Sequence, residues 1–328
     1  MRILITGGAG FIGSHLAQEC IRRGYEVAIW DNLFRGKLEN ISHLLNDRNR
    51  FYEIDLADET KIGQMAKQIV EEKPVYIFHY AAINGTQYFY DIPAKVLEVN
   101  IRAVSNLMCA LRKAKEMDQD FHTKVIYASS SEVYGEPFAV PTKETDVTYV
   151  VASHVRDSYA ASKLSGEFYV KLISEEIGTD WVILRLFNVY GERMVGTKYG
   201  QVIPEFIERL NNGEYPLHIY GSGDHKRSFC YVSDNVKATL DLAESTVKND
   251  IFNIGNANEV SILELGSMIM KKMGKEPAFC FLPEREGDHK RRCPDTDKLH
   301  AVIGKRTYMT LEEGLEKLLV SCKNQVVI

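Results

Sequence analysis

Tyr159 and Lys163 stand four residues apart in DSYAASKLSGEFY. On a helix that spacing puts both side chains on one face. A phenol with an ordinary pKa near ~10 is a poor base at neutral pH. An ammonium beside it favours the phenolate. The pair can then take the proton of a hydroxyl while hydride leaves the carbon that bears it. Upstream, YASSSEVYGEP offers Ser130 to hydrogen-bond the same oxygen, Ser131 next to it, and Glu132 as a second acid or base. The plain alternatives are a chance YxxxK on an amphipathic helix and small polar turn formers at a strand end.

Hydride needs an acceptor, and the N-terminal segment supplies a place for one. Gly7, Gly10 and Gly13 follow an apolar run and open a helical one. The first glycine permits a tight turn, the second lets the backbone approach a pyrophosphate, and the third lets helix and strand pack closely. A helix N-terminus presents free N–H groups and a positive dipole end to phosphates. Asp31 ends the next strand-like run. A carboxylate there accepts from an adenine ribose and repels a 2′-phosphate, so NAD is expected over NADP. Arg35 and Lys37 nearby soften that preference. Asp55, in YEIDLAD, reads either as an acceptor for the adenine amine or as a helix cap.

These residues must be held by a scaffold. Apolar strand-like runs at Arg2–Thr6, Glu26–Asp31, Arg50–Leu56, Val75–Ala82, Lys124–Ser129 and Asp180–Asn188 alternate with helical stretches at Gly13–Arg23, Ile62–Glu71, Pro93–Lys115 and Ser158–Glu176. That alternation predicts an α/β fold with a doubly wound parallel sheet, a Rossmann fold. Ligands of such sheets sit at the carboxyl ends of the strands, where all of these motifs fall. The expected cofactor-binding domain spans 1–188 and is completed by about 229–245. A smaller C-terminal substrate-binding lobe takes most of 189–328.

The chain has 328 residues, 45% hydrophobic and 26% charged, with net charge −5. The acidic balance argues against nucleic acid, yet the loops IYGSGDHKRS and LPEREGDHKRRCPD are basic and suit a polyanionic ligand. No apolar run approaches the roughly 20 residues of a membrane span, and the first residues enter a strand with no leader-like pattern. The six cysteines show no paired spacing. A cytoplasmic protein with reduced thiols and no metal is expected.

Taken together, TGGAGFIGSHL, HYAA, SSSEVYGEP, YAASK and RLFNVYGERM resemble the extended short-chain dehydrogenase/reductase family, over nearly the whole chain. Its members are NAD-dependent nucleotide-sugar epimerases, dehydratases and decarboxylases, which begin by oxidising C4 of the sugar. The resemblance implies NAD contacts at Gly7, Gly10, Phe11, Ile12, Gly13, Asp31, Asn32, Asp55, Leu56, Ala81, Ala82 and Asn100, with Tyr159 and Lys163 at the reacting end. It implies Ser130, Tyr159 and Lys163 as catalytic residues. Asn188, Arg227 and Arg285 are implied on the sugar diphosphate, the last two because a guanidinium fork suits phosphate oxygens, while Ser131 is expected at the substrate pocket from its place at the strand end. It also implies a homodimer through a four-helix bundle built from Pro93–Lys115 and Ser158–Glu176.

Glu132 stands where dehydratases and UDP-glucuronate decarboxylases carry Glu and simple 4-epimerases carry a small or neutral residue. The expectation is therefore decarboxylation or dehydration with Glu132 as second acid/base. The motifs are nearest to UDP-glucuronate decarboxylases, though AAINGTQ departs from the Ser/Pro-rich run those enzymes show. A 4-epimerase is the main alternative. A non-catalytic NAD-binding scaffold and a dehydrogenase of another small molecule are the remote ones.

Overall fold

The structure, a computed structural model, describes residues 1–194, 201–284 and 289–325, with side chains through Ser321. In chain order the first half runs β1 (Arg2–Thr6), α1 (Phe11–Arg22), β2 (Glu26–Asp31), β3 (Arg50–Glu53), α2 (Ile62–Glu72), β4 (Tyr76–His79), α3 (Tyr88–Asp91), α4 (Pro93–Met117), β5 (Lys124–Ser130), α5 (Asp157–Glu176) and β6 (Asp180–Leu186). The second half runs β7 (Val189–Tyr190), α6 (Val202–Asn211), β8 (Leu217–Tyr220), β9 (Lys226–Ser228), β10 (Cys230–Tyr231), α7 (Val232–Glu244), β11 (Asp250–Ile254), β12 (Glu259–Ser261), α8 (Ile262–Lys272), β13 (Phe279–Leu282), β14 (Arg291–Arg292), α9 (Asp297–Ile303) and α10 (Leu311–Gln325).

Seven strands form one parallel sheet in the order β11-β6-β5-β4-β1-β2-β3. Its strands are apolar almost throughout because both faces are covered. Ile3 and Ile5 pack into the core on one side, while Leu4 between them packs into the core on the other. Val27 and Ile29 alternate with Ala28 and Trp30 in the same way. Successive side chains on a strand point to opposite faces, so a doubly covered strand needs an unbroken apolar run.

The sequence reading ended the sheet at six strands. The seventh, β11, pairs with β6 from Asp250↔Val182 to Ile254↔Leu186. It follows α7, which packs against α1. The chain thus returns to the sheet beyond 245, with the residues between 189 and 229 lying outside it. The second lobe holds small sheets, β12-β9-β14 and β13-β8, and a two-stranded pair β10-β7. Its helix α8 starts on a capping box between Ser261 and Glu264, the local signal that fixes where β12 ends.

β1 and β4 are neighbours, and the strands after them run outward in opposite directions across the sheet. This is the switch point, where a crevice opens at the strand carboxyl ends.

Candidate active site

Gly7 turns the chain out of β1 at φ +69°. A Cβ at Gly7 would lie 2.6 Å from the Ala81 amide nitrogen, and one at Gly13 would lie 2.3 Å from the Gly7 carbonyl. The two glycines therefore let α1, its turn and the end of β4 close on one another. No side chain caps α1, and its first turn carries no acid. Phe11, Ile12 and Gly13 open onto a cleft that also takes in Gly7, Gly10 and Asp31. Uncapped amides at a helix N-terminus fit a pyrophosphate, so these residues suit a dinucleotide.

The other expected cofactor residues divide. Asn32, Asp55, Leu56, Ala81 and Ala82 all line the cleft. The Asp31 carboxylate accepts from the Ala9 amide at 3.0 Å and the Leu33 amide at 2.8 Å. Burial raises its pKa and those two bonds pull it back. Asp55 faces the cleft and accepts from the Ala57 amide, 2.9 Å away, in a turn two residues long, while the cap of the helical turn that follows is Asp58. Asn100 needs correction. Its side chain accepts from the Ile83 amide at 2.7 Å and donates to the Ile83 carbonyl and Ser162, so it clamps the loop after β4 from behind and does not line the cleft. Arg35 lies over the Tyr88 ring, 5.4 Å from its centre, with its charge toward Tyr159.

A second cleft opens from the first, sharing Phe11, Ile12, Tyr80, Ala82, Asn84 and Gln201 with it. Ser130, Ser131, Glu132, Tyr159, Lys163, Asn188 and Arg227 all line it. Tyr159 and Lys163 project from α5 to where β5 ends. The Tyr159 ring stacks on Phe89 with centroids 4.6 Å apart. Lys163 Nζ donates to the Ala128 carbonyl at 2.8 Å. Burial lowers the Lys163 pKa to about 7, opposed by the charge of Glu167. Burial also pushes the Tyr159 phenol up, and Glu132 adds to it, while the hydrogen bond from Ser130 and the charge of Arg35 pull it down. Both groups are desolvated, and a further positive charge in the cofactor cleft is needed to bring the phenol into range.

Asn188 donates to the Ser228 carbonyl at 3.1 Å. Arg227 donates to the carbonyls of Lys226 and Lys290 and stands opposite Arg292 in the β9–β14 register. Arg285 lies outside the described residues.

The surroundings of Glu132 were not foreseen. Its carboxylate is ion-paired to Arg292, lies 3.4 Å from Arg156 and 3.7 Å from His289. Burial alone would raise its pKa. The charges of Arg292 and Arg156, then His289, outweigh burial and hold the carboxyl well below the usual range. Such a carboxylate is a weak base. Arg292 is itself buried, and its Nε and Nη2 find no partner among the described residues. Sequence reasoning singled out the loop containing Arg292 but not the residue. Only its pairing with β9 aims it at the end of β5.

Comparison with known proteins agrees with this geometry. Residues 3–255 match the family described as the NAD dependent epimerase/dehydratase family. The UDP-N-acetyl-alpha-D-glucosaminuronate decarboxylase of Bacillus cytotoxicus is 33% identical, over 97% of this chain and 96% of its own. UDP-glucuronic acid decarboxylase 1 of Danio rerio is 32% identical, over 97% of this chain and 72% of its own. The crystal structure of the UDP-glucose 4-epimerase of Thermotoga maritima with UDP-glucose superposes with a TM-score of 0.86 at 33% identity, covering 99% of this chain and 100% of that one.

Proposed function

The chain belongs to the NAD-dependent epimerase/dehydratase family, and from that premise we propose that it decarboxylates a UDP-linked hexuronic acid by way of a transient 4-oxo sugar. It is an NAD-dependent enzyme acting on nucleotide-sugars. The finer reading rests on Arg292, a buried guanidinium at the wall of the second cleft whose Nε and Nη2 are enclosed without a hydrogen-bond partner among the described residues. A guanidinium fork that keeps donors to spare beside one carboxylate suits a second carboxylate, here that of C6.

Gly7, Gly10, Phe11, Ile12 and Asp31 would hold NAD along the first cleft, where it would supply the hydride acceptor, and afterwards the hydride donor, for the sugar carbon. Around that exchange the protein's own residues act as follows. Ser130 and Tyr159 hold the C4 hydroxyl, and Tyr159 receives its proton. Lys163, anchored on Ala128, keeps a positive charge near the phenol. Asn188 and Arg227, which line the second cleft, hold the diphosphate in this reading. Arg292 and Arg156 together balance Glu132 and the substrate carboxylate. The 4-oxo sugar is a β-keto acid, so the C5–C6 bond breaks with its electron pair moving toward O4. A proton then comes to C5.

Two other outcomes fit less well. Dehydration would ask Glu132 to take the C5 proton, and its two arginine neighbours weaken it for that task. Epimerisation needs no Glu132, and the likeness to a 4-epimerase structure keeps it as the second reading. The deciding experiment is mass spectrometry of products from UDP-glucuronic acid, its N-acetylated amino analogue and UDP-glucose. Loss of carbon dioxide from an acid supports the proposal. Unchanged mass with inversion at C4 of UDP-glucose, and no reaction of either acid, overturns it.

We take residues 1–188, with the returning segment from about 229 to Ile254, as the cofactor-binding domain and the remainder as the substrate lobe. Phe168 and Leu172 project from one face of α5 at i and i+4 with more than half their surface exposed. Bare apolar side chains on a long helix favour a partner copy there, as in the expected bundle. Among the described residues no helix is long and apolar enough to cross a membrane. Free thiols at Cys20, Cys109, Cys230, Cys280 and Cys293 suit a reducing, cytoplasmic setting.

A further inference from the structure

Decarboxylation has a requirement that epimerisation lacks. A carboxylate leaves as carbon dioxide and a hydrogen takes its place, so each turnover draws one proton from solvent. In epimerisation Tyr159 takes and returns the same proton, and in dehydration the proton removed from C5 balances the hydroxide lost. A decarboxylase whose substrate fills the second cleft and shuts water out of it therefore needs a proton route that does not pass through the substrate.

One chain of groups meets that need. Glu132 faces the second cleft. Behind it, His289 is buried, with Nε2 3.7 Å from Glu132 Oε2 and Nδ1 3.3 Å from Glu136 Oε2. The Glu136 side chain is about half exposed. His289 itself does not line the cleft. The backbone builds this line deliberately. Gly135 turns the chain at φ +58° so close to Tyr149 that a Cβ would lie 2.4 Å from the Tyr149 carbonyl, and this turn sets Glu136 four residues after Glu132 but facing the same imidazole. The Lys290 amide donates to Glu136 at 3.1 Å and fixes the outer end. Among the described residues the charges facing the line are Arg292 and Arg156 on the far side of Glu132.

Resting on the decarboxylase reading, we propose that Glu136, His289 and Glu132 form a proton conduit from solvent to C5. A solvent proton passes by Glu136 to His289 Nδ1. The Nε2 proton of the imidazole goes to Glu132 Oε2, and from there to C5 as the enolate collapses to the ketone. The C5–C6 bond breaks and a C5–H bond forms, with no oxidant or reductant beyond the hydride already in play. The arrangement also gives Glu132 a task that suits it. A carboxylate held as a weak base does not keep a proton and passes it on readily. His289 is a positioning and relay residue, since it acts on substrate only through Glu132.

The test uses His289→Gln, His289→Ala and Glu136→Gln in the full chain, with NAD and UDP-glucuronic acid, followed by stopped-flow absorbance and product mass. His289→Gln should form reduced cofactor at the parental rate and then release product slower by on the order of 100-fold, the scale of one lost proton-transfer group. Added imidazole should restore the product step of His289→Ala. In Glu136→Gln the solvent deuterium isotope effect on that step should rise. A parental product rate and isotope effect in His289→Gln would overturn the conduit while leaving the decarboxylase reading intact. So would equal slowing of both phases without imidazole rescue, which marks a structural role. If the parent protein releases no carbon dioxide from either uronic acid, the reading and the conduit fall together.

Discussion

Lys163 points its ammonium at the Ala128 carbonyl, 2.8 Å away, and lies 5.9 Å from the centre of the Tyr159 ring. Lys163 is thus tied to the end of β5 and desolvated there, with its pKa brought down to about 7. Its folded-state pKa lies below the ordinary ~10.4 of the unfolded chain. Below pH 7 both states carry the proton, and burying it costs folding stability in full. Between about 7 and ~10.4 the unfolded state holds more protons, so stability rises with pH as the cost disappears. Lys163→Met in the nucleotide-free protein should therefore gain melting temperature relative to the parent at pH 6. That gain should shrink steadily toward pH 10. A difference independent of pH would show that Lys163 is not desolvated as described.

Tyr159→Phe removes the acceptor of the C4 hydroxyl proton. Bound NAD should no longer be reduced on adding substrate. Glu132→Gln should leave that first reduction largely intact and slow product release by on the order of 100 to 10,000-fold, so that reduced cofactor accumulates. Normal turnover of Glu132→Gln would favour the 4-epimerase reading. Failure to reduce NAD at all would mean that Glu132 acts in binding.

Arg292→Met tests the carboxylate subsite. The KM for UDP-glucuronic acid should rise at least tenfold, about the loss of one charge-assisted hydrogen bond worth roughly 1.5–3 kcal/mol. Binding of UDP-glucose, measured by calorimetry, should change little, since that sugar has no C6 carboxylate. Equal weakening of both ligands would show that Arg292 holds the site's shape and not the acid.

Asp31→Ala should weaken NAD and narrow its advantage over NADP, because a carboxylate at the end of β2 no longer meets the ribose. Calorimetric titration of both nucleotides gives the answer. A parent that binds NADP as tightly as NAD would make the assignment of Asp31 wrong.

The dimer is tested on α5. Phe168→Glu with Leu172→Glu should yield a monomer by light scattering at micromolar concentration, with the parent a dimer. Both positions are more than half exposed in the single chain, so the charges should not disturb its core. A parent that is already monomeric removes the bundle.

By itself the sequence determined six of the seven strands, the glycine turn at the switch point and the shared helix face of Tyr159 and Lys163. These are local signals. A strand buried on both faces must be apolar throughout, as in Arg2–Thr6, a turn against Ala81 admits only glycine at position 7, and a helix sets Tyr159 and Lys163 on one face by spacing alone. What the tertiary structure decided lies between distant segments. Arg292, Arg156 and His289 meet Glu132 from places 160, 24 and 157 residues away, and no periodicity announces such a meeting. Asn100 looked like a cofactor contact because it sits on the helix behind the site, but its amide is fully engaged by Ile83 and Ser162. The strand β11 takes its place at the sheet edge by pairing with β6 and not by its own pattern. Side-chain type can be read along the chain. Basicity cannot, because the pKa of a buried carboxylate depends on which charges the fold brings within a few ångströms of it.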